Sequence, residues 1–297
     1  RGLGDVYKRQ IKLCRKWAYQ KKNIHPESAN IIVFDGNFHG RTTTIISFSS
    51  DSNSKDDFGP HTPGFVSVEY GSSEAIEKAI NENTAAVLIE PIQGEGGVIT
   101  PNKDYLNKVR QWCNKNNMLL ILDEIQTGMG RTGLAWAHQH NKILPDIMTS
   151  AKGLGGGLPI GCIMSTKRVD VFSAGDHGST FGGNVLTCAG AHYVANKLFN
   201  SNMLKTIQST TKILDNILND LLHEHDDIVK LRGIGLLRGI EFKSEIAAAV
   251  SQECLNNGLL VNAVRPNVLR LMPALNVSSN ELKKACAIIA KSIDAVH

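Results

Sequence analysis

The chain has 297 residues, of which 42% are apolar and 20% are charged, and its formal net charge is +4. This composition is typical of a globular protein and excludes a disordered, collagen-like or coiled-coil chain. At roughly 150 residues per domain, the length indicates about two domains, each large enough to bury an apolar core.

The distribution of particular residue types excludes several classes of partner. The basic residues are spread along the chain rather than clustered, and no run approaches the roughly 18 apolar residues of a membrane span. We therefore expect no nucleic-acid partner and no membrane partner. The cysteines form no C-x-x-C pair, so we expect free thiols and a reducing compartment, the cytoplasm or a eukaryotic organelle. They are Cys14, Cys113, Cys162, Cys188, Cys254 and Cys286.

The first nine residues are unusual. They begin without Met and contain no apolar core that could serve as a signal peptide. Apolar residues then recur at helical spacing from Ile11 to Ala18, as if the sequence started inside a helix. We interpret the chain as N-terminally incomplete, with residues 1–9 as a foreign leader, so targeting signals cannot be read from it.

The next part of the chain alternates short apolar runs with helical patterns. Each run is continuous and bounded by polar residues or glycine, which is typical of strands buried on both faces. One helix is predicted to begin at an N-cap formed by Ser73, and another runs from Tyr105 to Asn116. This alternation predicts an α/β fold with a largely parallel sheet. The predicted strands are Ile31–Phe34, Ala85–Ile89, Met118–Leu122, Ile147–Thr149 and Ile160–Ser165.

After Gly183 the pattern changes to a smaller α+β domain, and we place the domains at residues 1–200 and 201–297. A capping box of Ser278 and Glu281 precedes the last predicted helix. The other predicted helices are Val185–Phe199 and Leu204–Leu221, and the predicted strand regions are Leu231–Phe242 and Leu259–Leu271.

Polar and glycine-rich segments follow four of the predicted strands. Ligands of parallel α/β sheets bind beyond the carboxyl ends of the strands, so these segments are the candidate site. They are residues 38–41 (FHGR), 90–97 (EPIQGEGG), 123–133 (DEIQTGMGRTG) and 151–157 (AKGLGGG).

Two of these segments superficially match phosphate-binding motifs. Gly128, Gly130 and Gly133 spell the dinucleotide fingerprint, but two carboxylates lie between them and the strand, and no helix is predicted to follow. Lys152 precedes its glycines, whereas the lysine of a P-loop follows them. His138-x-His140 has no further metal ligand that the sequence identifies, so we expect no metal site.

Asp123 and Lys152 suggest a different chemistry. They are 29 positions apart, one strand–loop–helix–strand step, so both are expected at the carboxyl edge of neighbouring strands. A lysine in a glycine-lined pocket can form an imine with an aldehyde, and a buried aspartate can hold a pyridinium nitrogen. Pyridoxal phosphate requires these two groups.

The sequence around this pair resembles that of the class-III pyridoxal-phosphate-dependent aminotransferases, and the resemblance extends from Gln10 to the C-terminus. The strings that carry the resemblance are FHGRT, EPIQGEGG, DEIQTGMGRTG, KGLGGGLPIG and HGSTFGGN. The resemblance implies the transferase fold type I of pyridoxal 5′-phosphate enzymes, with a large domain around a mostly parallel sheet and a smaller C-terminal α+β domain. The strings LRGIGLLRGIEF and NVLRLMPALNVS extend the resemblance, which implies N-acetylornithine as the amino donor and 2-oxoglutarate as the acceptor.

The resemblance also implies roles toward the cofactor. Lys152 would hold it as a Schiff base and then act as the acid and base of proton transfer. Asp123 would pair with the ring nitrogen and Gln126 with the phenolic oxygen. Phe38 and Ile125 would pack on the two ring faces, although both are also compatible with a purely structural core role.

Further implied roles concern the substrates and a second subunit. Arg41 would bind the distal side of the substrate and Arg270 the α-carboxylate of the oxo acid. Glu95 would cover Arg270 when the amino donor enters. Thr180 would bind the cofactor phosphate of a neighbouring subunit, which implies a homodimer with shared active sites.

Departures from the family pattern leave several alternatives open. The phosphate-binding segment upstream of Gln10 is absent, so this chain by itself could be inactive, and Val185 replaces a usual proline. Ornithine, succinylornithine or another ω-amine could be the donor. An aminomutase, a nicotinamide-dependent oxidoreductase and a non-catalytic binding module are the competing functions.

Overall fold

A computed structural model describes the backbone of residues 3–296 and the side chains of residues 9–296. Arg1 and Gly2, at the start of the segment interpreted as a leader, lie outside the described residues. The chain divides into two compact units: residues 1–91, 101–129 and 136–196, and residues 92–100, 130–135 and 197–297. The second unit therefore includes two short segments from the first half of the chain, residues 92–100 and 130–135. The division into domains at residues 1–200 and 201–297 stays a prediction.

A six-stranded sheet forms the frame of the first unit. Its strands are β1 (Asn30–Phe34), β2 (Phe65–Val68), β3 (Thr84–Ile89), β4 (Leu119–Asp123), β5 (Ile147–Ser150) and β6 (Cys162–Ser165). The helices that accompany it in sequence are α1 (Leu3–Gln20), α2 (Thr43–Ile46), α3 (Ser52–Lys55), α4 (Ser73–Ala79), α5 (Tyr105–Lys115) and α6 (Val185–Phe199). The strand order is β2-β1-β3-β4-β5-β6, and every pair is parallel except β5 with β6.

The apolar runs of the strands are buried on both faces of this sheet. Alternate residues of β1, β3 and β4 belong to two separate apolar clusters. Trp17 of α1 packs into one cluster, and Val109 of α5 packs into the other. The strands therefore need apolar residues at consecutive positions, which is the pattern that the sequence shows. The α/β fold with a mostly parallel sheet is confirmed.

One local prediction about the first unit is wrong, and one of its strands is missing from the predicted set. Edge strand β2 was not predicted, because its residues are only partly buried and its apolar signal is weak. The N-cap of α4 is Ser72 rather than Ser73: Ser72 has extended backbone angles, and its Oγ accepts the amide of Ala75 at 3.2 Å.

The second unit contains a four-stranded antiparallel sheet. Its strands are β7 (Ile228–Ile234), β8 (Leu237–Phe242), β9 (Asn262–Arg265) and β10 (Val268–Leu271), in the order β7-β8-β10-β9. Its helices are α7 (Met203–Glu224), α8 (Ala247–Asn256), which was not predicted, and α9 (Ser279–Val296). The predicted capping box is confirmed, since Glu281 Oε2 accepts the amide of Ser278 at 2.8 Å and Ser278 Oγ accepts that of Glu281 at 3.2 Å.

Among residues 3–296, no helix is long and apolar enough to pass through a bilayer.

Candidate active site

Four parallel strands of the first unit bring their carboxyl ends to one edge of the sheet. Asp123 is the last residue of β4, and Glu90 directly follows β3. The segment after β1 contains Phe38 and His39, and Lys152 lies two residues beyond β5. The topology therefore places all of these side chains along the same edge, where parallel α/β sheets bind ligands.

The carboxylate of Asp123 is buried and held from several directions. Its Oδ2 lies 2.7 Å from Nδ1 of His39, and both side chains are almost fully excluded from solvent. Its Oδ1 accepts hydrogen bonds from the amide of Ile125 at 3.1 Å and from Oγ1 of Thr149 at 3.2 Å. Thr149 is its register partner on β5. Three donors from separate segments therefore fix the orientation of this carboxylate.

Two further titratable groups lie beside Asp123. Burial lowers the pKa of His39, but its hydrogen bond to Asp123 and the charges of Asp123 and Glu90 outweigh burial and raise it above its usual value. Burial raises the pKa of Glu90 to about 8, against the opposing effects of His39, the Phe38 amide and Lys152. Glu90 Oε2 accepts that amide at 3.1 Å. Burial therefore favours the protonated form of Glu90, and its carboxyl group anchors the backbone at Phe38.

Lys152 has an unusual backbone conformation. Its φ angle is +45°, in the left-handed region that side-chain-bearing residues rarely adopt. It begins a short 3₁₀ helix, Lys152–Gly155, and its side chain is exposed. Such conformations cost about 1–3 kcal/mol and are concentrated at functional sites. The strain and the exposed amine together mark Lys152 as a functional candidate.

The other predicted cofactor-side residues lie on the segments next to these groups. Ile125 is buried, and Gln126, which follows it in the same turn, is half-buried. Phe38 is half-buried, and the guanidinium of Arg41 lies 5.9 Å from the centre of its ring. Arg41 is itself exposed. The first unit thus contains an apolar and aromatic surface next to the polar group centred on Asp123.

The turn after Asp123 is stabilised by a second buried carboxylate, Glu124. Its Oε2 accepts Oγ1 of Thr127 at 2.6 Å and the amide of Ala137 at 3.0 Å. Its Oε1 accepts the amide of His138 at 2.8 Å and lies 3.0 Å from Nδ1 of the same residue. His138 is therefore engaged by Glu124, and the pair closes the loop between β4 and the 3₁₀ helix Ala137–Asn141.

The glycine string that mimics a dinucleotide fingerprint has another physical explanation. The string lies in turns and bends rather than at the start of an α-helix. A Cβ at Gly128 would lie 2.6 Å from the ring of Trp136, so this position requires glycine for packing. The oxidoreductase alternative built on this string has no structural support.

The second unit holds the predicted carboxylate clamp. Arg270 Nη1 lies 2.8 Å from Oε1 of Glu95, and Arg270 Nη2 donates to Oδ1 of Asn262 at 2.8 Å. Arg270 and Asn262 are register partners on β10 and β9. The guanidinium is thus oriented by a neutral group at one end and paired with a carboxylate at the other.

Thr180 lies on an exposed connecting segment of the first unit. It is exposed, and it belongs to the segment between the 3₁₀ helix Lys167–Val169 and α6. Its predicted role toward a neighbouring subunit stays a prediction.

Comparison with known proteins shows what the chain is similar to. The model of the aminotransferase class-III family matches residues 7–293. The chain belongs to the class-III aminotransferases. An ornithine aminotransferase from Oceanobacillus iheyensis is 40% identical over 274 residues, which cover 92% of this chain and 68% of that protein. An acetylornithine aminotransferase from Nostoc sp. is 40% identical over 296 residues, covering 96% and 69%.

Solved structures agree with this class-III membership. The crystal structure of an ornithine aminotransferase from Toxoplasma gondii matches with a TM-score of 0.94 and 37% identity, covering 100% of this chain and 72% of that one. The resemblance to the family and the fold type I architecture are confirmed. Class-III aminotransferases depend on pyridoxal 5′-phosphate, which is therefore the cofactor.

The side chains of the first unit fit this cofactor chemically. An aldehyde requires an accessible primary amine, and Lys152 offers one at the end of β5. A pyridinium nitrogen requires a fixed carboxylate, and Asp123 offers one at the end of neighbouring β4. The donor set is thus the one that the cofactor needs.

Two residues that support Asp123 and Glu90, Thr149 and Tyr70, were not predicted from the sequence. Thr149 directly follows the apolar part of β5, and its pairing with Asp123 could have been found from the expected register of parallel neighbours. Tyr70 donates its hydroxyl to the carbonyls of Glu90 at 3.0 Å and Pro91 at 3.1 Å. It follows β2, the strand that was not predicted.

The raised pKa of Glu90 generates a test by pH. The unfolded chain loses the Glu90 proton near pH 4.5 and the folded protein only near pH 8, so the stability of the fold decreases as the pH rises from about 5 to about 8. Glu90→Gln removes this titration. We expect the stability of the variant relative to the wild type to rise across this range, by at most roughly 1.4 kcal/mol per pH unit.

Urea unfolding of both proteins at a series of pH values measures this difference. Glu74→Gln is the matched control, because it makes the same substitution at an exposed position. A constant difference between Glu90→Gln and the wild type would contradict the assignment.

Proposed function

We propose that this aminotransferase moves the δ-amino group of N-acetylornithine to 2-oxoglutarate, a reaction of arginine biosynthesis. The placement of Lys152 and Asp123 at the ends of neighbouring strands is the observation that supports transamination. Relatives named acetylornithine aminotransferase support the donor. Relatives named ornithine aminotransferase are equally similar, so ornithine is the second candidate, ahead of succinylornithine and other ω-amines.

The proposed chemistry divides between the cofactor and the protein. Bound pyridoxal 5′-phosphate supplies a cationic ring that takes up the electron pair left when a proton departs from the substrate carbon. Lys152 Nζ would carry the cofactor in the resting enzyme and move that proton when it is free. Asp123, oriented by His39 and Thr149, would keep the ring nitrogen protonated.

Other residues of the first unit would position the ring. Ile125 and Phe38 would supply apolar surface for its two faces, and the Gln126 amide would hydrogen-bond the phenolic oxygen. The contact between the Phe38 amide and Glu90 supports this proposal, because it restrains the backbone from which the aromatic ring projects.

Three charged residues would bind the substrates. Arg41 would hold the distal group of the substrate, and Arg270 the α-carboxylate of the oxo acid, since a guanidinium matches a carboxylate with two parallel hydrogen bonds. Glu95 would neutralise Arg270 while the amino donor is bound. The Glu95–Arg270 contact at 2.8 Å supports this alternation of partners.

We also propose that the enzyme is a homodimer in which Thr180 binds the cofactor phosphate of the neighbouring subunit. Apolar side chains just before and along α6 are unusually exposed: Phe181 by 50%, Val185 by 83%, Leu186 by 70% and Tyr193 by 69%. An exposed apolar patch of this kind indicates a surface that another protein covers.

The role of Lys152 is tested by covalent trapping. Sodium borohydride should fix pyridoxal phosphate to the wild-type protein, and mass spectrometry of peptides should locate the added mass on Lys152. Lys152→Ala should acquire no such mass and should lose at least about 10³-fold in activity, because it has neither the covalent attachment nor the proton-transferring amine.

Lys167→Ala, which removes another exposed lysine, should behave as the wild type. Trapping at any lysine other than Lys152 would exclude the assignment.

The donor is tested by comparing kcat/KM for N-acetylornithine with kcat/KM for ornithine, at saturating 2-oxoglutarate. We expect the acetylated donor to be preferred by at least about tenfold, a difference of roughly 1.4 kcal/mol in transition-state binding. A preference for ornithine would replace the proposed donor, and turnover without any oxo acid would support the aminomutase alternative.

The dimer is tested with Leu186→Glu. A charge in an apolar interface is costly, so sedimentation velocity should show a dimer for the wild type and a monomer for the variant. Leu144, also 70% exposed, gives the control, since Leu144→Glu should remain dimeric. A wild type that sediments as a monomer would overturn the proposal.

A further inference from the structure

The turn that carries Glu95 lies on the four-stranded sheet of the second unit. Gln93 and Ile99 form an antiparallel bridge, with their backbone hydrogen bonds at 3.1 and 3.0 Å, and close the turn. Val98, just after the glycines, packs with Leu237 in an apolar cluster. A Cβ at Gly233 would lie 2.8 Å from Val98, so a glycine of the sheet makes room for this turn.

Two arginines on opposite outer strands bind consecutive carbonyls of this turn. Arg232 on β7 donates its Nη1 to the carbonyl of Gly97 at 3.0 Å. Arg265 on β9 donates its Nε to the carbonyl of Gly96 at 3.1 Å. Because β7 and β9 are the two edges of the sheet, the turn is held from both sides.

The two arginines differ in their charge balance. Arg232 forms a bidentate pair with Glu241, with Nε to Oε2 at 2.8 Å and Nη2 to Oε1 at 2.5 Å. Its position is therefore set mainly by that carboxylate. Arg265 has no carboxylate partner among the described residues. Its side chain is held instead by the hydrogen bond from Nε to the Gly96 carbonyl. Removing Arg265 thus affects the turn without leaving a carboxylate unpaired.

We propose that Arg265 is a positioning residue that keeps Glu95 on Arg270 and so sets the balance between the two substrates. Gly96 directly follows Glu95, so the hydrogen bond from Arg265 restricts the backbone next to that carboxylate. A looser turn must lose more conformational entropy to keep the Glu95–Arg270 pair closed. Arg270 is then released more readily to a dicarboxylate, and the amino donor meets an uncovered positive charge. This inference rests on the proposed roles of Glu95 and Arg270.

The test compares the two half-reactions in Arg265→Met. Methionine keeps an aliphatic chain against Gly97, whose Cβ position lies 3.2 Å from Cγ of Arg265, but it has no donor for the Gly96 carbonyl. We expect kcat/KM for the amino donor to fall and kcat/KM for 2-oxoglutarate to rise. Their ratio should change by about three- to tenfold, the scale of one lost hydrogen bond.

An equilibrium measurement complements the kinetics. Glutarate is an unreactive dicarboxylate, and calorimetry of the holoenzyme should show it binding about three- to tenfold more tightly to Arg265→Met than to the wild type. Arg238→Met is the matched control: Arg238, on β8 of the same sheet, pairs with Asp215 of α7 at 3.0 Å and donates to the Gly233 carbonyl rather than to the turn. It should leave both the ratio and glutarate binding unchanged.

Glu95→Gln separates this inference from the proposed function. It should shift the ratio in the same direction as Arg265→Met, and further. If Glu95→Gln shifts the ratio and Arg265→Met does not, or lowers both half-reactions equally, the role of Arg265 is refuted while the proposed function stands. If Glu95→Gln produces no shift, the proposed roles of Glu95 and Arg270 fail as well.

Discussion

The burial of the Asp123 carboxylate is the constraint on which the site depends. A carboxylate removed from water is tolerated only when its oxygens are hydrogen-bonded, because an unpartnered polar group in the interior costs several kcal/mol. Here the donors come from the segment after β1, from the turn after β4 and from β5. Satisfying this one group therefore fixes the relative positions of three strand ends. The hydrogen bonds that make burial of the Asp123 carboxylate tolerable thus also set its position.

The adjacent residue, Glu124, meets the same requirement in another way. Its carboxylate binds the loop that contains Thr127, Ala137 and His138, and it leaves the strand ends to Asp123. Two consecutive acidic residues thus serve two separate purposes, one orienting the site and the other closing the loop beside it. The sequence alone shows only two neighbouring carboxylates and does not distinguish these purposes.

The parts of the molecule that were predictable are those with strong local signals. The buried strands have continuous apolar runs, and Asp123 and Lys152 follow neighbouring strands as predicted. The connection between those strands, residues 124–146, contains a 3₁₀ helix (Ala137–Asn141) where the spacing predicted an α-helix. Edge strand β2 has no such run, so its position depends on pairing with β1, which the sequence does not display. The contacts of His39 with Asp123 and of Arg265 with Gly96 join residues 84 and 169 positions apart. Such contacts are set by packing of the whole unit and have no local signature.

The left-handed backbone of Lys152 has a consequence for the stability of the fold. Glycine adopts that conformation without steric cost, so a Lys-to-Gly replacement would relax the main chain while removing the amine. The main chain alone therefore favours glycine at this position, and a lysine here is less favourable for folding than a glycine would be.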